Sequence, residues 1–174
     1  MIRVAITGMG VISAIGQNIA EFAESLRRGR PGIRPIASLD TSNIRFHNGA
    51  EVRDAIPAVP GLDRFAQFAL IAAREAVAEA GIDWTLKLKE ETAVITGTSI
   101  GGQSTQDSAF DTLYAQRLNR LHPLSVPRTM PNAGASHISI EFGVQGPCFT
   151  IASACSSAAH AIGHAFRMVR QATH

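Results

Sequence analysis

The chain has 174 residues, of which 45% are apolar and 17% are charged. This length allows one compact domain, and the composition is that of a globular protein rather than a disordered, collagen-like or repetitive one. Sixteen Lys and Arg residues against fourteen Asp and Glu residues give a formal charge of +2, and the basic residues are spread along the chain. This distribution argues against a dedicated nucleic-acid-binding protein.

The cysteines and the N-terminus indicate where the protein works. Cys148 and Cys155 have a spacing typical of neither a zinc knuckle nor a disulfide-rich secreted scaffold. We therefore expect no disulfide, no metal site and a cytoplasmic location. Glycines interrupt the apolar N-terminus, and no run of about 18 apolar residues occurs, so neither an export signal nor a membrane span is predicted.

Short β-branched runs closed by glycine predict strands, and apolar residues at helical spacing between capping residues and glycines predict helices. In chain order these are a strand at 2–7, a helix from Asn18 to Gly29, a short strand at 50–53, a helix from Asp63 to Gly81, a strand at 92–96, a helix opened by Ser104 and Asp107 that reaches Leu121, a helix at 134–142, a strand at 148–151 and a helix at 153–171. Proline-rich loops are expected before Asp63 and at 123–131. Strands that alternate with helices indicate one α/β unit with a mainly parallel sheet.

The first glycine-rich segment runs from Thr7 to Ser13 as T-G-M-G-V-I-S, close to the dinucleotide fingerprint. Its third glycine is replaced by Ser13, and no acidic residue follows about twenty residues later to hold a ribose hydroxyl. Glycines that let a buried strand turn sharply are the favoured interpretation. A Rossmann-type nucleotide binder stays open as an alternative.

The second glycine-rich segment, residues 97–104, follows a strand as G-T-S-I-G-G-Q-S. It resembles a phosphate-binding loop except that Gln103 replaces the lysine, and a neutral amide supplies no charge for the outer phosphates. Nucleotide binding is therefore not predicted here. The segment either lines a ligand pocket with backbone groups or serves as a tight exit from the strand.

Cys155 stands where the strand at 148–151 meets the last helix. A sulfur at the positive end of a helix dipole is favoured as thiolate, and the amide of Cys155 is placed to stabilise an oxyanion. This arrangement suits acyl transfer. The alternative is an inert core cysteine, because Cys155 also heads the apolar face of the helix. That face is predicted to comprise Ala158, Ala159, Ile162, Ala165, Phe166 and Val169.

Two histidines, His160 and His164, lie four residues apart on the last helix and share a polar stripe with Arg167 and Gln171. Such a pair is compatible with metal binding, but the sequence offers no evident third ligand. Surface or interface histidines are the favoured interpretation.

Residues 151–163, I-A-S-A-C-S-S-A-A-H-A-I-G, resemble the nucleophile motif of the condensing enzymes, the β-ketoacyl-(acyl carrier protein) synthases. Further motifs resemble that family in the same order: the opening strand at 4–10, the start of its long helix at 63–65, its glycine loop at 96–102, and the approach to the nucleophile at 126–133 and 142–147. The resemblance implies a thiolase-like layered fold of the type II branch. Residues 1–174 would be the N-terminal domain, an incomplete half with a mainly parallel sheet, and the C-terminal half is absent.

The resemblance also implies a reaction. Cys155 would take an acyl group from an acyl carrier protein, and decarboxylation of malonyl-carrier protein would yield the carbanion equivalent that attacks this thioester, as in fatty acid or polyketide-like biosynthesis. Ile100 matches the position that gates the acyl pocket, and Ser125 matches one often held by a bulky aromatic residue. No cofactor is implied, and the family predicts a homodimer.

In the family, the two histidines and the lysine that serve decarboxylation come from the second half, and His160 and His164 match neither histidine motif. The strand expected to follow the last helix is also missing. We therefore expect the isolated chain to be marginally stable or aggregation-prone, because the strand at 2–7 loses a neighbour. Three hypotheses about function remain. The most favoured is the nucleophile portion of a ketoacyl synthase, followed by a non-catalytic remnant or interaction subunit and then by a Rossmann-type nucleotide binder.

Overall fold

The computed structural model describes residues 3–53, 56 and 59–171. Their contacts fall into two compact units that alternate along the chain. Of the described residues, 3–6, 59–70 and 82–171 belong to the first unit, and 7–53, 56 and 71–81 belong to the second.

The helices are α1 (Ile19–Arg27), α2 (Arg64–Ala80), α3 (Leu86–Glu91), α4 (Gln103–Phe110), α5 (Ser125–Thr129), α6 (Ala133–Phe142) and α7 (Ser157–Gln171), and a π-helical turn at Asp111–Ala115 continues α4. The strands are β1 (Arg34–Pro35), β2 (Asn48–Gly49), β3 (Val94–Gly97) and β4 (Cys148–Ile151). None of the helices in the described part of the chain is both long enough and apolar enough to cross a bilayer.

A parallel pair of strands organises the first unit. β3 pairs with β4 in a register that sets Val94 opposite Cys148 and Gly97 opposite Ile151. Val94 packs against residues of α6, whereas the adjacent Ile95 shares a cavity wall with residues of α7. Because successive side chains of a strand point to opposite faces, α6 and α7 cover the two faces of this sheet. The β4–α7 junction therefore lies within a helix–sheet–helix arrangement.

Two small apolar clusters form the core of the first unit, and Ile138 of α6 packs against both. Leu62, Ala66, Leu70 and Ala133 form one cluster, and Val94, Ala135 and Val144 form the other. Trp84 stacks on Phe142 beside the second cluster, with 5.9 Å between ring centroids. The alanines allow α2, α6 and the sheet to approach closely, since each buried alanine keeps its backbone near the neighbouring element.

In the second unit, α1 and the antiparallel pair β1–β2 accompany the C-terminal part of α2. Asn18 caps α1, accepting a hydrogen bond from the Glu21 amide at 2.9 Å, as the sequence predicts. Glu75 of α2 accepts from the Val11 amide at 2.9 Å and from the Ile19 amide at 2.7 Å. One carboxylate thus ties the opening segment and the start of α1 to α2.

Glu51 gives the second unit a defined pH response. Hydrogen bonds from Ser38 and from the Ala37 amide, joined by Arg53, lower the pKa of Glu51 from 4.5 to about 2. A lowered carboxyl pKa stabilises the fold above the unfolded value, and this stabilisation is lost as pH falls from about 4.5 through about 2. We expect the Ala37 and Ser38 amide shifts to titrate near pH 2 in NMR spectra. Glu51→Gln should abolish that titration, and a midpoint near 4.5 would contradict the assignment.

Several element boundaries agree with the sequence predictions. α2 ends at Ala80, and Gly81 follows with φ +59°. α6 ends at Phe142, and Gly143 follows in the left-handed region with φ +64°. β4 coincides with the predicted strand at 148–151. These ends are set locally, because a glycine accepts the left-handed conformation that closes a helix.

The predicted opening strand at 2–7 is wrong for the described residues 3–7, which belong to no strand; residue 2 lies outside the described residues. Ile6 is 82% exposed rather than buried on both faces. An apolar run becomes a buried parallel strand only where neighbouring strands bind its backbone groups. In the described part of the chain, parallel ladder pairing joins β3 with β4 and does not include this run.

Other predictions fail in their boundaries. The predicted strand at 50–53 appears instead as β2, which pairs with β1. The helix expected to reach Leu121 ends within the π-helical turn at Ala115, and Arg117 then takes φ +54°. Ser104 lies inside α4, and Gly102 precedes α4 without a side-chain cap. The proline-rich loop at 123–131 contains α5, because proline is compatible with the first turn of a helix.

The last helix differs from prediction in its start and in its buried face. α7 begins at Ser157 rather than at residue 153, and Ser157 and Ala161 are its buried residues. Ile162, Phe166 and Val169, which the sequence assigns to the apolar face of this helix, are 69%, 43% and 58% exposed. At the start of α7 the backbone of Gly97 approaches Ser157 so closely that only a small residue fits there, whereas Val169 near the end of the helix lines a cavity shared with Ile95 of β3.

Candidate functional site

A sharp turn between β4 and α7 carries Cys155. The strand ends at Ile151 and the helix begins at Ser157, so Cys155 lies two residues before the helix, exposed and with a free thiol. Ala154 immediately before it has φ +47°, a left-handed conformation that costs a non-glycine residue roughly 1–2 kcal/mol. Such strain is frequent at functional sites, where the surrounding structure enforces it.

Three serines hold this turn in place. Ser157, 2% exposed, donates from its hydroxyl to the Ala154 carbonyl at 2.6 Å and accepts from the Ser153 amide at 2.8 Å. The Ser156 amide donates to the Ser153 carbonyl at 3.1 Å. This network compensates the strain at Ala154 and fixes the backbone on both sides of Cys155. No role was predicted for these serines, although two serines directly after the cysteine are a visible signal for a capped helix start.

The glycine loop begins beside this turn. The Thr98 amide donates to the Ile151 carbonyl at 3.2 Å, which joins the ends of β3 and β4. A Cβ on Gly97 would collide with the Ser157 carbonyl group, so glycine is needed for the loop to lie against the start of α7. The Thr98 hydroxyl donates to the Ile100 carbonyl at 2.6 Å and shapes the loop. Ile100 itself is 57% exposed.

The far end of the loop packs on α5. A Cβ on Gly101 or Gly102 would collide with the carbonyl groups of Thr129 or Arg128, and the Gly102 amide donates to the Thr129 carbonyl at 3.1 Å. Ser125 is the first residue of α5, half-buried, and its hydroxyl donates to the His122 carbonyl at 2.7 Å. The structure thus brings the glycine loop, which carries Ile100, next to the start of α7 and the end of α5. Ser125 lies at the start of α5, about 6 Å along the helix axis from the end that the loop contacts.

A cavity of about 200 Å³ opens next to the first residues of the loop. It is lined by Phe65, Phe68, Ala69, Thr96, Gly97, Thr98, Pro131 and Gly134. The hydroxyls of Thr96 and Thr150 meet across the sheet at 2.7 Å. The two phenylalanines were predicted to lie in a helix, and no sequence pattern places them beside the loop, since 63–65 and 96–98 are far apart in sequence.

The first glycine-rich segment does not have the geometry of a nucleotide site. A Cβ on Gly8 or Gly10 would collide with carbonyl groups of α2, so these glycines allow close packing on the helix. Glu79 accepts a hydrogen bond from the Met9 amide at 2.5 Å, and Glu75 accepts from the Val11 amide. Carboxylates thus occupy the amides that a pyrophosphate would need, and their charge would repel it.

His160 and His164 are both exposed on α7. The His164 ring meets the Phe149 ring edge-on, with 5.3 Å between centroids. No group of three or more metal-binding side chains comes together within the described residues. The pair therefore fits the surface interpretation, with one ring engaged in packing.

The two cysteines differ in their surroundings. Cys148 begins β4, and its partial burial raises the pKa of its thiol. A raised pKa leaves less thiolate at a given pH, and the thiolate is the form that reacts. We expect iodoacetamide at neutral pH to label Cys155 faster than Cys148, as measured by peptide mapping, with Cys148 labelling accelerating as pH rises. Faster labelling of Cys148 at neutral pH would contradict this expectation.

Comparison with known proteins identifies the family. The family model for the beta-ketoacyl synthase N-terminal domain matches residues 1–173. The 3-oxoacyl-(acyl-carrier-protein) synthase 2 of Coxiella burnetii is 32% identical over 174 residues, which are 96% of this chain and 42% of that protein. The protein of the same name from Staphylococcus aureus (strain MRSA252) is 34% identical over 177 residues, 98% of this chain and 43% of that protein.

A solved structure agrees with these relatives. The ishigamide ketosynthase/chain length factor superposes with a TM-score of 0.84 at 30% identity, covering 96% of this chain and 44% of that one. The α/β fold with a parallel sheet is thus the thiolase-like fold of ketosynthases, as the sequence predicts. The chain belongs to the β-ketoacyl synthase family, and it spans less than half the length of the relatives it matches.

Proposed function

We propose that this chain is the nucleophile-bearing portion of a 3-oxoacyl-(acyl carrier protein) synthase, with Cys155 as the residue that accepts the acyl group. The observation that carries the proposal is the exposed thiol on a strained, hydrogen-bonded turn between β4 and α7. In the first half-reaction the Cys155 sulfur attacks the acyl thioester carbonyl, and the carrier thiol leaves with a proton as the new thioester forms.

The backbone supports this step in two ways. The start of α7 supplies the positive end of a fifteen-residue helix near the sulfur, which favours negative charge. The amide of Cys155 is the proposed oxyanion donor, because it belongs to the same residue as the attacking sulfur. The serine hydrogen bonds of the turn hold the backbone on both sides of this residue. Malonyl-carrier protein would then lose carbon dioxide, and its carbanion equivalent would attack the carbonyl of the Cys155 thioester, which forms the new carbon–carbon bond of the 3-oxoacyl-carrier protein and releases Cys155 as the thiolate.

Ile100 and Ser125 are proposed to shape the acyl pocket. Ile100 stands on the glycine loop whose first residue, Gly97, lies against the start of α7, and its exposed side chain is proposed to gate the access of the acyl chain to Cys155. Ser125 is proposed to face the acyl chain, and its small side chain would leave more room in the acyl pocket than the bulky aromatic residue often found at this position. We also propose the homodimer, the cytoplasmic location and the acyl carrier protein partner, the last of which agrees with the names of the relatives.

The direct test is transfer of a labelled acyl group. The chain is incubated with dodecanoyl-acyl carrier protein, and the mass gain is mapped to a peptide. We expect acylation at Cys155, its loss in Cys155→Ala, and its retention in Cys148→Ser, the matched cysteine control. Acylation that persists in Cys155→Ala would overturn the assignment. A folded chain that is never acylated would favour a non-catalytic role.

A further inference from the structure

A buried carboxylate joins the glycine loop to the start of α2. Asp63 is 4% exposed and precedes α2, where its carbonyl accepts from the Ala66 and Gln67 amides at 3.1 Å each. Its Oδ2 accepts two hydrogen bonds from Thr105, from the amide at 2.7 Å and from the hydroxyl at 2.6 Å. Thr105 is itself buried, at 7% exposure. A carboxylate so placed is engaged in structure rather than in contact with solvent.

The hydrogen bonds between Asp63 and Thr105 affect the glycine loop because Thr105 lies close to the end of that loop. Thr105 lies in the first turn of α4, three residues after Gly102, where the glycine loop ends. A Cβ on Gly102 would lie 3.0 Å from the Asp63 Cβ, so the loop end rests directly on the start of α2. α4 begins at Gln103 without a side-chain cap of its own. The bonds to Asp63 therefore anchor a helix start that lacks a local cap.

The other end of the loop is held by the sheet. Gly97 lies against Ser157 of α7, and the Thr98 amide bonds to the end of β4. Ile100 thus stands between the attachment at the Cys155 turn and two attachments that follow it, the packing of Gly101 and Gly102 on α5 and the Asp63–Thr105 pair. Within a segment this short, loosening one attachment increases the motion of the middle residues.

We propose that Asp63 is a positioning residue: through Thr105 it holds the glycine loop so that Ile100 controls which acyl groups reach Cys155. This inference rests on the proposed function of Cys155. Asp63 touches no reacting atom and acts through the loop. The hydroxyl of Thr105, 42 residues further along the chain, carries that action.

The test uses a variant that keeps the fold. Thr105→Val removes the hydroxyl but retains the amide bond and the side-chain shape, whereas Asp63→Ala would also remove the start of α2. Thr105→Ser restores the hydroxyl. Ser139→Ala is the matched control, because it deletes a part-buried hydroxyl that donates to the Val144 carbonyl at 2.7 Å, away from the loop.

Two readouts are measured on each variant. The hydrogen-exchange rates of the amides at 97–102 report how often the glycine loop opens locally. The ratio of Cys155 alkylation rates with N-decyl iodoacetamide and with iodoacetamide reports access for a chain, and it needs no acyl-transfer activity. In Thr105→Val we expect exchange about tenfold faster and a rate ratio changed about fivefold, from loss of one bond to a charged group. Thr105→Ser and Ser139→Ala should keep both near the wild-type values.

The outcomes separate the two proposals. Unchanged exchange in Thr105→Val, or faster exchange with an unchanged rate ratio, overturns the positioning role of Asp63. An altered ratio together with a wild-type chain that dodecanoyl-acyl carrier protein never acylates supports the positioning role and overturns the proposed function. A shift of equal size in Ser139→Ala also overturns the positioning role, because general loosening would then explain it.

Discussion

A polypeptide of these 174 residues is expected to release carbon dioxide from malonyl-carrier protein at least about a thousandfold more slowly than a full-length relative, because groups that act together in a reaction lose several powers of ten when separated. The family resemblance assigns malonyl activation to two histidines and a lysine that match no position in this sequence. His160 and His164 lie exposed on α7, and we do not expect them to replace these groups. The measurement is release of labelled carbon dioxide from malonyl-carrier protein.

Acylation of Cys155 in the same sample provides the internal control. The proposed acyl transfer needs only the Cys155 thiol and the amide proposed as its oxyanion donor, both on the β4–α7 turn, whereas decarboxylation is expected to need the additional groups. We therefore expect acylation without appreciable carbon dioxide release. Release at a rate similar to that of the relative would contradict the prediction and would place the decarboxylating groups within this chain.

Sequence reasoning succeeded where structure is set by neighbouring residues. Asn18 caps α1 through an amide three residues away, and Gly81 and Gly143 close α2 and α6 in left-handed conformations. β4 and the junction after it were also found, because a short β-branched run followed by small residues and a helical pattern is a local signal. Local signals of this kind are readable without knowledge of the tertiary fold.

Features that depend on distant residues were not readable. The run at 3–7 has the composition of a buried strand, yet it belongs to neither strand pair of the described residues, β1–β2 or β3–β4. The buried face of α7 is set by the close approach of Gly97 to Ser157, which selects small residues for the inner side. Hydrophobic periodicity groups Ile162 with the apolar face of α7, whereas in the structure its side chain is exposed.

The candidate site shows the same division. Cys155 and the glycine loop carry recognisable motifs, and the structure brings the loop beside the turn before α7. The left-handed Ala154 was not predicted, because alanine has no preference for that conformation and only the surrounding hydrogen bonds impose it. The Asp63–Thr105 pair joins residues that the sequence assigned to separate helices, and no sequence pattern linked them.

The close approach at Gly97 has the consequence that even the smallest side chain there is costly. The added Cβ of Gly97→Ala would overlap backbone atoms of Ser157 and Ala158, including the Ala158 nitrogen at 2.6 Å. Backbone at the start of a packed helix cannot rotate aside as a side chain can, so β3 and α7 must separate. Overpacking of this kind costs about 3 kcal/mol. That is a large part of the roughly 5–15 kcal/mol that stabilises a typical domain.

Gly163→Ala is the matched control for that substitution. Gly163 lies in the middle of α7, and an added Cβ there meets nothing within 4 Å. Alanine in a helix interior is favoured over glycine by about 1 kcal/mol. In thermal melts we expect Gly97→Ala to lower Tm by about 6–12 °C and Gly163→Ala to raise it by about 2–4 °C, using the scaling for a chain of this size. A Gly97→Ala variant with the same Tm as the wild type would show that the backbones of β3 and α7 are not in contact. It would also contradict the placement of the glycine loop beside Cys155, which depends on that contact.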